Sequence, residues 1–190
     1  NSYICKLIKP KQTMNEIIKK NGINFGLING LISIFITLYA YLFNLELFGS
    51  LWLLLFIVIF YLAINIILLL KTKKELNNIF NFKQAFTTYF ICLIIGVSIT
   101  VLFNIILFNI VDDELGEKVK EISMESTADF MKKMGAPTSE IKKAVEGIEA
   151  SDNYSVLAQI KGFFTNIAVS SIFGLIFAAI FKSKTNIFNE

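Results

Sequence analysis

The sequence predicts an all-α integral membrane protein with four transmembrane helices. Hydrophobic residues make up 55% of the 190-residue chain, and the mean hydropathy is +0.63. Charged residues are only 17%, where a soluble domain carries about a quarter. The charges also avoid four long stretches and crowd between them, so the net charge of +3 matters less than its distribution.

The first segment, 1–20, reads as cytoplasmic and amphipathic. Ile4, Leu7 and Ile8 share a face opposite Lys6 and Lys9, a pattern for a short helix on anionic lipid. Thr13-Met14-Asn15-Glu16 fits a capping box, which starts a helix that continues into the membrane. The first span is read at 24–45, inside an uncharged run 21–45. It is too long for a cleaved signal and ends in Tyr41-Leu42-Phe43-Asn44-Leu45-Glu46, without a small-residue cleavage site. The second span is read at 47–70, between Glu46 and Lys71. A cytoplasmic elbow follows at 71–83, with Leu76, Ile79 and Phe80 expected to face the bilayer. The third span is read at 84–111 and the fourth at 156–181, with a wholly uncharged part at 162–181. About 20 residues of helix cross the hydrocarbon core, so each span is long enough. The tail is 182–190.

The link at 112–155 predicts two amphipathic helices. Leu115, Val119 and Ile122 recur at helical spacing, and Phe130 with Met134 resumes it. Gly135-Ala136-Pro137 breaks the pattern, and Thr138 or Ser139 is expected to cap a second helix. Ile141, Ala144, Val145 and Ile148 form its apolar stripe. Asp112, Asp113, Glu114 and Glu117 open the first of these helices, where carboxylates favour the helix dipole. They lack the spaced Asp/Asn-Gly pattern of a calcium loop.

Lysine placement sets the orientation, because cytoplasmic loops are enriched in Lys and Arg. The N-terminal segment, the 71–83 elbow and the tail are lysine-rich, whereas the other two links are acidic or nearly uncharged. Both termini are therefore expected in the cytoplasm, and the 112–155 hairpin outside. Tyr39, Tyr41, Trp52 and Tyr154 fall at the expected outer interface, and Phe80, Phe82 and Tyr89 at the inner one.

Small residues mark where helices approach closely in a bilayer. Gly22, Gly26 and Gly30 form one stripe, Cys92, Gly96 and Thr100 a second, and Ser170, Gly174 and Ala178 a third. They read as packing faces within the chain or as faces for a partner. Among intramembrane polar residues, Asn29 and Asn65 are expected at one depth. Asn104 and Asn166, with Thr165, are expected at another, and these amides seek partners between helices. No acidic or basic residue lies deep in a span, which weakens a proton or ion pathway. Lys161 stands at the mouth of the fourth span, placed to snorkel or to pair with the acidic link.

Several function classes lose their agents. All 18 basic residues are Lys, and His is absent. Without His and a buried acid–base pair, hydrolysis and group transfer lack their usual participants. The two cysteines, Cys5 and Cys92, are expected at different depths, which disfavours a disulfide, and no metal-ligand spacing exists. The lysines follow topology, so nucleic-acid binding is not expected.

Four pieces carry a family resemblance: Phe25-Gly26-Leu27-Ile28-Asn29-Gly30, Phe82-Lys83-Gln84-Ala85-Phe86, Met134-Gly135 before Ser139-Glu140-Ile141, and Gly174-Leu175-Ile176-Phe177-Ala178-Ala179-Ile180-Phe181-Lys182. Over most of its length, from about residue 21 to 184, the chain resembles a bacterial four-span family, domain of unknown function 4199 (DUF4199), found mostly in Bacteroidota. The resemblance implies the same four-span topology in a bacterial inner membrane. It implies no reaction, cofactor or active-site residue. Two functional expectations follow. The first is a non-enzymatic accessory or scaffold subunit, binding other inner-membrane proteins or its own copies and surrounded by membrane lipids. The alternative is a small channel, transporter or lipid-handling protein with a polar cavity between helices, lined by Asn65, Asn104, Thr165 and Asn166. No cofactor or metal is expected.

Overall fold

The computed structural model describes residues 13–183. Among them are six α-helices: α1 Met14–Phe43, α2 Leu51–Glu75, α3 Phe82–Ile106, α4 Leu115–Lys133, α5 Thr138–Glu149 and α6 Val156–Phe181. A 3-10 turn, Leu45–Gly49, precedes α2, and a π-helical turn, Leu107–Val111, extends α3. α1, α2, extended α3 and α6 are long and apolar enough to cross a membrane, and the chain is a multi-pass membrane protein. Ile4, Cys5, Leu7 and Ile8, and the tail beyond Ser183, lie outside the described residues.

Local chemistry starts the helices. Thr13 and Glu16 form the expected capping box: Thr13 Oγ1 accepts from the Glu16 N–H, and Glu16 Oε2 accepts from the Thr13 N–H at 2.8 Å. Asn81 and Gln84 make a second box at the start of α3. Ser50 Oγ accepts from the Leu53 N–H, so α2 begins at Leu51, after the 3-10 turn, and continues through Lys71–Lys74 to Glu75. Ser155 caps α6 through the Ala158 N–H. The expected cap of α5 by Thr138 or Ser139 is not made. Pro137 occupies the cap position with φ −60°, and Thr138 is already helical.

α1 lies along α3, in the most extensive helix contact, and α3 packs next on α6. The glycines explain the first contact. A Cβ at Gly22, Gly26 or Gly30 would meet Ile91, Ile95 or Ile99 at 2.7–2.8 Å. At Gly26 the Cys92 carbonyl oxygen is also only 2.9 Å away. Only hydrogen fits there, so the backbones come together and gain dispersion contacts, which drive helix association where lipid is as apolar as Leu. α2, which has no glycine between Leu51 and Glu75, is held chiefly near its C-terminal end.

Two apolar clusters close the bundle at its ends. At the end carrying Thr13 and Ser183, Ile18, Leu69, Leu76, Phe80, Ala85, Tyr89 and Ala178 pack together. Leu76 and Phe80 do not face the bilayer as the sequence reading expected; Phe80 is 0% exposed, and of the three only Ile79 points outward. Asn77 and Asn78 both take left-handed φ values, 53° and 63°, which turn the chain sharply and fold Phe80 beneath the helices. Ser183 locks this turn: its N–H donates to the Phe80 carbonyl, its Oγ accepts from the Phe80 N–H, and its hydroxyl donates to the Asn78 carbonyl. Tyr89 is buried too, contacting the face of α6 at Gly174 rather than lying in an interfacial belt.

At the opposite end Leu107, Phe108, Leu115 and Val119 pack with Tyr41, Leu45, Phe48, Phe103 and Tyr154. α4 rests on the 3-10 turn, where Gly49 accommodates Ile122 and Ser126. α4 and α5 pack on each other across a turn at 134–137, in which Gly135 adopts φ +76°. Ile141, Ala144, Val145 and Ile148 are the α5 residues that are not fully exposed, and α4 is the helix against which α5 lies. Carboxylates near the start of α4 face lysines: Asp112 and Glu114 meet Lys118, and Glu117 meets Lys120. Glu114, then Asp112, raises the Lys118 ammonium above its ordinary value. Such exposed pairs add little stability.

Candidate functional site

The helices diverge between the two end clusters. α2 makes few contacts with α6, and its N-terminal half is exposed on nearly every side, with Trp52 at 84%. α1 and α3 form the floor, and α2 and α6 the walls, of a cleft of about 690 Å³. That volume is in the range of small-molecule sites.

The floor is polar by register. On α1, Asn29, Ser33 and Thr37 recur every four residues and line the cleft, offset from the glycine face that meets α3. The sequence reading noted the glycines and Asn29 but missed Ser33 and Thr37, although their spacing was visible. Cys92, Gly96, Thr100 and Asn104 supply the α3 side, Tyr61 and Asn65 the α2 wall, and Gln159, Asn166 and Ser170 the α6 wall.

Most of these groups are engaged inside the protein. Asn29 and Asn65 meet through a third residue, Cys92. Asn29 Nδ2 donates to Cys92 Sγ at 3.4 Å, and the thiol donates to Asn65 Oδ1 at 3.9 Å. Asn65 Nδ2 in turn donates to its own helix at the Tyr61 carbonyl, and the Tyr61 hydroxyl donates to the Asn29 carbonyl. On the other wall the Tyr89 hydroxyl donates to the Ser170 carbonyl and Ser170 Oγ to Asn166 Oδ1. Thr100 donates to the Gly96 carbonyl. Two acceptors stand apart: Asn29 Oδ1 and Asn104 Oδ1 are buried and have no hydrogen-bond partner among the described residues. Leaving a buried polar atom unmatched costs about 1–3 kcal/mol, which makes each a place where a donor is wanted.

The expected Asn104–Asn166 pair is not formed, although both residues line the cleft. Thr165 does not line it; its hydroxyl donates to the Lys161 carbonyl on the exposed side of α6. Lys161 is exposed and forms no ion pair among the described residues, so the acidic link does not reach it. Gly22, Gly26, Gly30 and Gly96 lie in the α1–α3 contact, and Gly174 and Ala178 are buried where α6 meets α3. Cys92 is a buried free thiol.

The cleft is roofed near α4 by the 150–155 segment. Asn109 and Gln159 both donate to the Tyr154 carbonyl, at 3.0 and 2.9 Å. The Tyr154 ring stacks on Phe108 at 4.8 Å, and Gly116 leaves room for it. The π-helical turn places Phe108 and Asn109 for these contacts, and such turns are frequent at functional sites. Burial pushes the Tyr154 phenol above its ordinary range. Asp152 accepts from the Ser155 hydroxyl and N–H, and these hydrogen bonds hold its carboxyl below its ordinary value.

Among the described residues, no Asp, Glu or Lys lines the cleft, and no group of acidic or sulfur ligands is placed to hold a metal. A family model described as a protein of unknown function (DUF4199) matches residues 24–183. No curated protein and no solved structure matches the chain.

Proposed function

Because the chain belongs to the DUF4199 family, whose description names no activity, we propose from the geometry that it is a non-enzymatic lipid-handling membrane protein. Its cleft binds a membrane amphiphile between α2 and α6. The observation that carries this reading is a cleft of about 690 Å³ in which uncharged polar side chains from all four long helices stand beside apolar ones such as Leu62, Leu93, Val97, Val101 and Phe173. That combination fits a molecule with a polar head and a hydrocarbon chain. An ion or proton pathway has less support, since such pathways use ionisable groups and none lines the cleft among the described residues. Catalysis is disfavoured for the same reason, because the lining lacks a general acid–base pair.

The accessory-subunit reading has less to rest on. The glycine faces that a partner would use are occupied within the chain, and the apolar stripe of α5 lies against α4.

The proposed setting is the bacterial inner membrane, with α4 and α5 outside. Lys19, Lys20, Lys71, Lys73, Lys74, Lys83 and Lys182 all belong to the end of the bundle that carries Thr13 and Ser183. That concentration supports a cytoplasmic placement of this end.

Native mass spectrometry of the protein extracted from its own membranes in mild detergent tests the reading. The wild type should retain one or two lipid molecules. Val97→Trp, which fills the cleft from α3, should retain fewer while remaining monodisperse. Equal retention by both forms would show that the bound lipids sit elsewhere.

A further inference from the structure

We infer that the tip of the α4–α5 hairpin is seated on the bilayer: Phe130 and Met134 enter the head-group layer of the membrane around the bundle, and Lys133 meets its phosphates. The inference concerns a surface outside the cleft and does not depend on the lipid-handling reading.

The first argument is the course of α4, which two points fix. Near its start, Leu115 and Val119 are buried in the cluster with Leu107, Phe108, Tyr41 and Phe48. Eleven residues after Leu115, or about 16 Å of helix rise, Ser126 lies with Ile122 on Gly49, in the turn that joins α1 and α2. A Cβ at Gly49 would stand 2.9 Å from Ile122 Cγ2. Both points belong to the end face of the bundle, where the long helices finish. α4 therefore runs across that face and not away from it. Among the described elements, only the 3-10 turn and α5 pack extensively on α4. Its last two turns, beyond Ser126, thus extend past the edge of the bundle.

The second argument is register. Leu115, Val119, Ile122 and Ser126 mark the bundle side of α4. Phe130 stands four residues past Ser126 and continues that side. It is nevertheless 47% exposed, and Met134 is 72% exposed. Lys133 falls on the same side, seven residues past Ser126. Lys120, Met124, Thr127 and Met131 form a separate, partly buried stripe, which is the one left for α5. α5 therefore leaves Phe130 bare, on the side that faces the level where the membrane helices end.

The third argument is what lies at that level. Trp52 follows Gly49 by three residues and is 84% exposed. Indole rings concentrate at the membrane–water boundary, so the turn beneath α4 lies near that depth. Phe130 is only about 6 Å further along α4 than Ser126, over lipid instead of protein. An exposed aromatic ring and a thioether flanked by lysines are the composition of an interfacial element. Lys132 engages Asp129 at 3.8 Å, whereas Lys133 forms no ion pair among the described residues. Its aliphatic stem can lie along apolar surface while its ammonium reaches a phosphate.

Tryptophan fluorescence tests the inference. Trp52 is the chain's single tryptophan, so Trp52→Phe gives a dark background. In it, Phe130→Trp and, separately, Lys143→Trp are introduced into the full chain. Lys143 is exposed, on the side of α5 opposite its apolar stripe. The proteins are reconstituted in phosphatidylcholine–phosphatidylglycerol vesicles whose chains carry bromine near the ester end or near the methyl end. The Phe130→Trp form should emit to the blue and lose most of its emission to the shallow bromines, and less to the deep ones, as insertion by about 5–10 Å requires. The Lys143→Trp form should emit as in water and stay unquenched. A water-like, unquenched Phe130→Trp form would overturn the inference. So would blue emission that neither bromine quenches, which would mean that protein covers the ring. Equal quenching of the Phe130→Trp and Lys143→Trp forms would overturn it as well. Met134→Trp in the same background carries the same expected and overturning results, so failure of one variant to fold does not remove the test.

Discussion

The contact between α1 and α3 and the gap between α2 and α6 are both built from long apolar helices and end in opposite ways. On α1, Gly22, Gly26 and Gly30 repeat every four residues, and each lies close enough to an isoleucine of α3 that a methyl group would clash. On α2, the run from Leu51 onward is bulky except at Ala63, and its N-terminal half touches little. In water both surfaces would be driven together by burial. In a bilayer they are not, because lipid satisfies a bulky apolar face as well as another helix does. Small residues let α1 and α6 close on α3, and α2, which has no glycine, stands apart from α6.

The sharpest way to break this contrast is to add one methyl group on each side of it. Gly26→Ala places a Cβ 2.8 Å from Ile95 Cβ and 2.9 Å from a backbone oxygen that cannot swing away. It should destabilise the bundle by about 1–3 kcal/mol, as overpacking does. Gly162→Ala on α6 meets nothing within 4 Å. It should be neutral or slightly stabilising, by up to about 1 kcal/mol from helix propensity. Thermal unfolding in one detergent checks both, and equal destabilisation would remove the glycine explanation.

The next effect concerns how α2 stays attached. Asn21, 2% exposed, donates to Thr72 Oγ1 at 3.2 Å and to Glu75 Oε2 at 2.8 Å, tying α1 to the end of α2. Asn21→Leu keeps the side chain's approximate size and removes both bonds. It should cost about 1–2 kcal/mol and loosen α2, which distance measurements between spin labels on α1 and α2 would detect. An unchanged distance distribution would mean that the remaining contacts, the packing of Leu69 and the Tyr61–Asn29 hydrogen bond among them, suffice to hold the helix.

The smallest expected effect lies at the roof. The lowered carboxyl of Asp152 stabilises the folded form above its unfolded value, near about 4. That contribution disappears as the pH falls through its lowered folded value. Wild type and Asp152→Asn should therefore differ slightly in melting temperature at neutral pH and converge in acid. A difference that persists in acid would assign the effect to something other than the Asp152–Ser155 hydrogen bonds.

Much of the fold was legible in the chain. The Thr13–Glu16 box, the Gly135–Pro137 break and the α5 stripe are local signals, and each appears where its residue pattern places it. Leu76 and Phe80 were misread because an apolar residue between lysines looks the same whether it meets lipid or protein. The two left-handed asparagines and the Ser183 lock that bury Phe80 are separated from each other by about a hundred residues. The cleft was half legible. Asn29, Asn65, Asn104 and Asn166 stood out as polar residues in oil, but Ser33 and Thr37 passed as ordinary helix content, and Thr165 was assigned to a face it does not share.

By itself the sequence determined that four segments form helices long and apolar enough to cross a membrane, because a backbone in oil must satisfy its own hydrogen bonds within a single segment. It also determined where α1 starts, since the Thr13–Glu16 box acts within three residues. Only the tertiary structure decided that α1 and α3 close while α2 and α6 stand apart. It alone left two buried amide oxygens, Asn29 Oδ1 and Asn104 Oδ1, without a partner among the described residues. Which faces meet depends on shape matched across distant parts of the chain, and hydropathy carries no record of shape.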